Sequence, residues 1–135
     1  MVVVSNTSFD RLNKRAANFR GYFNSVNFTS VEVKNTGWNE DPTNVMGQPG
    51  WGIGIQIGAT NGTAIFHNVS VTESLQSAIK VYGRGIDVRM SSVVLQKNGN
   101  HGFMMLASAT TVNLTSVLFH YNRGRGLHRC FFDPG

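Results

Sequence analysis

Residues 70–81, SVTESLQSAIKV, residues 93–105, VVLQKNGNHGFMM, and residues 117–128, VLFHYNRGRGLH, carry one pattern three times. Each begins with an apolar alternation, passes through a polar turn containing Asn or Ser, and ends in a small residue followed by a large apolar one. Val71, Leu95 and Phe119 fall at one fixed interval, and Val69, Val93 and Val117 repeat it. The small-large pairs Ala78-Ile79, Gly102-Phe103 and Gly126-Leu127 keep the same step. A fixed period of this size marks a solenoid, in which one repeat buries its apolar face only against the next.

Working outward, Val33 in SVEVKNTG aligns with Val71 once 14 residues are inserted after it, and Phe9 in NTSFDRLN aligns with Val33 at the 24-residue step. Each turn reads as three short strands. The first contains residues 52–57, 78–82, 102–106 and 126–128; the second contains 64–66, 86–90 and 111–114; the third starts at Val31, Val69, Val93 and Val117. Side chains alternate between the two faces of a strand. Ile53, Ile55, Ile79, Val81, Phe103, Met105 and Leu127 are therefore expected to form one inward stack. Val88 with Val112, and Phe66 with Met90 and Leu114, form a second, and Val33, Val71, Leu95 and Phe119 a third. The fold class is all-β: a right-handed parallel β-helix of about five turns of ~24 residues, the first and last incomplete.

The 135 residues form a single β-helix segment, 1–135, interrupted by an inserted loop at 37–51, and read as a fragment of a longer solenoid. With 41% hydrophobic residues the chain can build a core, and its abundant Gly and short apolar runs suit strands rather than helices. Incomplete end turns would leave sheet edges open, so the isolated chain is expected to associate end to end. Flanking β-helix turns of a parent chain are the natural cover for those edges.

The formal charge of +5 comes from 12 Lys and Arg against 7 Asp and Glu, in a chain of which only 14% is charged. The basic residues are dispersed, with small groups at Arg11, Lys14, Arg15, Arg20 and at Arg123, Arg125, Arg129. They lack the dense stripe with interleaved aromatics expected of a nucleic-acid binder. No apolar run reaches membrane-spanning length, and the first residues turn polar too early for a signal peptide. Five Asn-X-Ser/Thr triplets, at Asn6, Asn27, Asn61, Asn68 and Asn113, are N-glycosylation candidates in a secreted protein. They favour an extracellular or cell-surface location. The single Cys130 rules out an internal disulfide.

Asn98 and Asn122 occupy equivalent turns, with Ser74 in the preceding one, and are expected to stack as a structural ladder. The glycines Gly83, Gly85, Gly99, Gly124 and Gly126 fall at corners. No helix follows them, so they do not form a nucleotide-binding loop.

The segments VEVKNTG (31–37) and SAIKVYGRGIDVRMSSVVLQKNGNHGF (77–103) resemble the parallel β-helix repeats of the pectin-lyase-like superfamily. More narrowly, they look like the repeats in ectodomains of fibrocystin-like proteins and of a related hyaluronan-degrading protein. The narrower resemblance implies a large extracellular glycoprotein. The broader one implies a polysaccharide groove on the outside of the helix, served in lyases by an acidic calcium cluster with a basic residue and in hydrolases by grouped aspartates. Of Asp10, Glu32, Glu40, Asp41, Glu73, Asp87 and Asp133, none recurs at the 24-residue step. Asp87 with Arg84 and Arg89 reads as a surface charge cluster. His101 in GNHG is similar to a Gly-His-Gly element of polygalacturonases, without that motif's flanking residues. His120 and His128 fall in outward columns, and no histidine pair has a third metal ligand near it.

The expected function is therefore a non-catalytic scaffold or a surface that recognises carbohydrate or protein, with no catalytic residue, metal or cofactor assigned. The alternative is a polysaccharide lyase or glycoside hydrolase whose site is incomplete here. The insertion, with Trp38 and Trp51 at its ends, leaves the corner before the first strand. Either it overhangs Gln56, Lys80, Tyr82 and Met104, with Lys80 and Arg84 holding an anionic glycan and His101 nearby, or its tryptophans cover an apolar side of the solenoid or seal it.

Overall fold

The computed structural model describes residues 1–12, 15–21, 25–37, 52–108 and 111–130. Among them every regular element is a strand: β1 (Val2–Asp10), β2 (Ala17–Gly21), β3 (Ser25–Lys34), β4 (Ile55–Thr72), β5 (Ile79–Gln96), β6 (Phe103–Ser108), β7 (Thr111–His120) and β8 (Leu127–Cys130). All strand pairs are parallel. The result is a β-solenoid of about four turns, with a partial rung at each end.

The register is uniform. Partners keep the 24-residue step from β1 to β3, β4 to β5, β5 to β6 and β7, and β6 to β8, as in Val71↔Leu95 and Leu95↔Phe119. They differ by 38 from β2 and β3 to β4, as in Val33↔Val71. The excess of 14 (38 − 24) places the whole insertion between these turns. Three faces result. The first sheet contains β2, residues 55–60 and 79–84, β6 and β8. The second contains residues 2–5, 25–29, 63–67, 87–91 and 111–115, and the third residues 7–10, 31–34, 69–72, 93–96 and 117–120.

The long strands β4 and β5 serve all three sheets because the backbone turns within them at residues in the left-handed region. Asn6, Ser30, Asn68, Ser92 and Ser116 form one such corner column between the second and third sheets. Arg11, Asn35, Glu73, Lys97 and Tyr121 form another after the third sheet. Each such residue carries a steric cost of about 1 kcal/mol. The ladder above and below fixes the conformation regardless.

Inside, the core is the set of stacked columns. Val26, Ala64 and Val88, then Phe28, Phe66 and Met90, then Val31, Val69 and Val93, then Val33, Val71 and Leu95 are all buried. Phe28 and Phe66 stack across adjacent rungs at 5.1 Å, and Phe19 meets Phe28 edge-on at 5.6 Å. In the first sheet the inward columns are Ile55, Ile79 and Phe103 and, two residues on, Ile57, Val81 and Met105. Ile53 departs from the expected stack. It is buried, but it lies two residues before Ile55 and outside the main core cluster. Leu114 and Leu127 keep their inward register but remain 36% and 42% exposed, because no described strand pairs on their outer side.

The predicted polar ladder is present at the corner between the third and first sheets. Asn98, fully buried, accepts from the Ser74 N–H at 3.0 Å and donates through Nδ2 to the Val71 carbonyl at 3.3 Å and to Asn122 Oδ1 at 2.8 Å. Asn122 repeats the device, donating to the Leu95 carbonyl at 2.8 Å and accepting from the Asn98 N–H at 3.1 Å. These bonds satisfy the Ser74 and Asn98 N–H groups, which lie beyond the ends of β4 and β5, and bring a further donor to the Val71 and Leu95 carbonyls within those strands.

Candidate functional site

The outer side of the first sheet brings together most of the residues that the sequence singles out. Register puts Asn18, Gln56, Lys80, Met104 and His128 in one outward row. Arg20, Gly58, Tyr82 and Leu106 form the next, and Thr60, Arg84 and Ser108 the third. Neighbours within a row are about 4.8 Å apart, and successive rows about 6.6 Å apart. Lys80, Tyr82 and Arg84 therefore project from one strand on one side, with Gln56 beside Lys80.

Tyr82 lies flat because Gly58 gives it room. A methyl group on Gly58 would collide with the Tyr82 Cζ, so the ring covers the Gly58 backbone and extends toward the rung of Arg20. The result is an apolar plate flanked by cations, a surface that suits the ring face of a sugar. Gln56 is only 4% exposed and its Oε1 has no hydrogen-bond partner among the described residues, so a buried acceptor stands beside Lys80.

At the C-terminal rungs the His101 and His128 rings stack at 4.4 Å with 10° between their planes. His101 Nδ1 accepts the Arg125 N–H at 2.9 Å, so the proton of the neutral ring belongs on Nε2. Burial, first, and then the charges of His128 and Arg125 hold the His101 pKa below the usual imidazole value. His101 therefore combines a turn role with membership of a basic group. Arg20 and Arg125 enter the sequence reading only as members of dispersed basic groups, not as site residues. The signal was present in the offsets, since Arg20 precedes Gly58 by the longer step that spans the insertion and Arg125 follows His101 by the regular one.

No Asp or Glu stands on the strands of the first sheet. The described carboxylates lie elsewhere. Asp87, on the second sheet, accepts from Thr111 Oγ1 at 2.6 Å and pairs with Arg89 at 2.7 Å; the Thr111 bond, above all, lowers its pKa. Arg89, rather than Arg84, is thus the ionic partner of Asp87. On the third sheet Glu32 pairs with Lys34 at 2.8 Å and raises the lysine pKa, chiefly through that hydrogen bond, with Asp10 and Glu73 adding to it. These are charge clusters closed on themselves. Among the described residues no group of three His, Cys, Asp or Glu could hold a metal ion, and no helix is long and apolar enough to cross a membrane.

Trp38 and Trp51 lie outside the described residues. The two ends of their insertion, however, meet. Thr36 Oγ1 donates to the Gly52 carbonyl at 3.3 Å, and a methyl on Gly37 would touch the Gly52 Cα at 2.5 Å. The loop thus leaves and re-enters at one point of the corner. Comparison with protein families, with curated proteins and with solved structures finds no match to this chain.

Proposed function

We propose that this chain is a non-catalytic segment of an extracellular β-helix whose first sheet presents a face for anionic glycans. The observation that carries this reading is the separation of charge. Lys80, Arg84, Arg20 and the His101–His128–Arg125 group share the side of the Tyr82 plate, and that sheet's strands contain no carboxylate to neutralise them. Cations spaced along a rigid, flat sheet suit a polymer that repeats its charge, and the ring provides a stacking surface for its sugars. The sequence resemblance to pectin-lyase-like repeats adds support, since those proteins hold polysaccharide on the outside of the helix. A catalytic reading needs paired carboxylates, and Glu32 is engaged with Lys34, Asp87 with Arg89 and Thr111, and Asp10 with Arg11 and Asn35.

The test is retention on immobilised hyaluronan and polygalacturonate, with dextran as the neutral control. The chain should bind the two anionic polymers, release them as salt rises, and lose at least about tenfold in affinity when Lys80 and Arg84 are both changed to Ala. Equal binding to dextran, or no effect of the double change, overturns the reading. Appearance of unsaturated or newly reducing ends during incubation overturns its non-catalytic half.

A further inference from the structure

The five Asn-X-Ser/Thr triplets are dispersed in sequence but gathered in space. Asn27 and Asn113 share one outward column of the second sheet, the register running Val3, Asn27, Ile65, Arg89, Asn113. Asn6 and Asn68 share the corner column that closes that sheet on one side, and Asn61 stands at the corner that closes it on the other, all three in the left-handed region. None lies on the outer face of the first or third sheet. Each hydroxyl residue of a triplet, at Ser8, Thr29, Thr63, Ser70 and Thr115, also occupies an outward register position.

Four of the five asparagines, Asn6, Asn61, Asn68 and Asn113, are exposed. Asn27 is different. It is half-buried, its Oδ1 is buried without a partner among the described residues, and its Nδ2 donates to Met1 Sδ at 3.7 Å. The exposed sites are also well separated. Asn6 and Asn68 stand two rungs apart, about 10 Å, which leaves room for a branched sugar on each. Beside Asn68 a shallow hollow of about 240 Å³, lined by Ser30, Val31, Glu32, Asn68 and Ser70, could seat the first sugar ring.

We propose that the second sheet and its two corners are the N-glycan-bearing side of the solenoid, modified at Asn6, Asn61, Asn68 and Asn113 and not at Asn27. In the reaction the side-chain amide nitrogen attacks the anomeric carbon of a polyprenyl-pyrophosphate-linked oligosaccharide. The new C–N bond replaces the anomeric C–O bond, the lipid pyrophosphate leaves, and one amide proton is lost to base. The sugars shield one side from contact with proteins and leave the basic first sheet and the third sheet bare. The inference rests on the extracellular reading above, and not on its glycan ligand.

The full chain, secreted from a eukaryotic cell behind a leader peptide, tests it. Peptide-N-glycosidase F in ¹⁸O-water, applied to the folded protein, should leave labelled Asp at the four positions in most molecules and unlabelled Asn27. Tm should move by less than about 3 °C after release. Absence of label at the four sites, label chiefly at Asn27, or release only after unfolding overturns the proposal. Polysaccharide retention measured before and after release separates the two readings. Labelled protein that binds no polyanion defeats only the ligand, and unlabelled protein that binds defeats only the glycan side.

Discussion

At the residue scale the chain relies on a few polar side chains placed where a sheet cannot continue. Asn98 closes three backbone and side-chain bonds at a corner that is fully buried. Its loss leaves the buried Ser74 N–H without its acceptor and takes a donor from the Val71 carbonyl and from Asn122 Oδ1. Asn98→Ala should therefore cost about 2–4 kcal/mol, a fall in Tm on the order of 10 °C by thermal unfolding. Asn100, two residues on and only half-buried, is the control. Its backbone N–H, not its side chain, donates to the Gln76 carbonyl at 3.2 Å, so Asn100→Ala should change stability by no more than about 0.5 kcal/mol. Equal effects of the two substitutions would mean that the ladder adds nothing specific.

His101 supplies a second prediction at this scale, and its sign is fixed by the direction of its shift. Burial, then His128 and Arg125, lowers the folded-state pKa below the ordinary value of 6.5. The unfolded chain therefore takes up the proton more readily. The stability that the neutral ring contributes is present above pH 6.5 and is lost as the pH falls through the lower folded value. A bound polyanion reverses the neighbouring potential and favours the imidazolium. Tm of the free chain should drop between pH 7 and pH 5 while affinity for hyaluronan rises over the same range. His101→Asn, which keeps an acceptor for the Arg125 N–H, should flatten both curves. Parallel movement of stability and affinity with pH would detach His101 from the face.

At the element scale, what the sequence displayed and what it concealed divide along physical lines. Inward columns were legible because apolar residues recur at every second position within a strand and once per turn between strands, so two periods agree on Val33, Val71, Leu95 and Phe119. The corner inside β4 and β5 was not. Its left-handed residues are Asn6, Ser30, Asn68, Ser92 and Ser116, with no glycine among them, and the following column contains Arg11, Glu73, Lys97 and Tyr121. Local preference gives little warning of such conformations, because stacking on the adjacent rungs imposes them. The face of the first sheet lay between these cases. Lys80, Tyr82 and Arg84 are readable from alternation on one strand, whereas the plate formed by Tyr82 over Gly58 and the stack of His101 on His128 need the rungs in register.

At the scale of the whole molecule, the insertion is an addition to the solenoid rather than a part of it. Residues 38–51 number 14, which is the difference between the 38-residue and 24-residue offsets. Gly37 and Gly52 correspond by register to the adjacent pairs Leu75-Gln76 and Gly99-Asn100 of later turns, and they lie close enough for a direct peptide link. Excision of 38–51 therefore restores an unbroken 24-residue period without moving any rung. The shortened chain should keep its β-sheet circular dichroism, and its Tm should stay within about 5 °C of the full chain, since closing a loop of this length changes the folding entropy only modestly. Polysaccharide retention then divides the labour on the first sheet. If Trp38 and Trp51 add stacking to the cationic face, the excised chain should bind hyaluronan more weakly while keeping the same dependence on Lys80 and Arg84. Collapse of the fold on excision would show instead that the loop seals the turn at which it leaves, and would remove the reason for regarding it as a separable binding element.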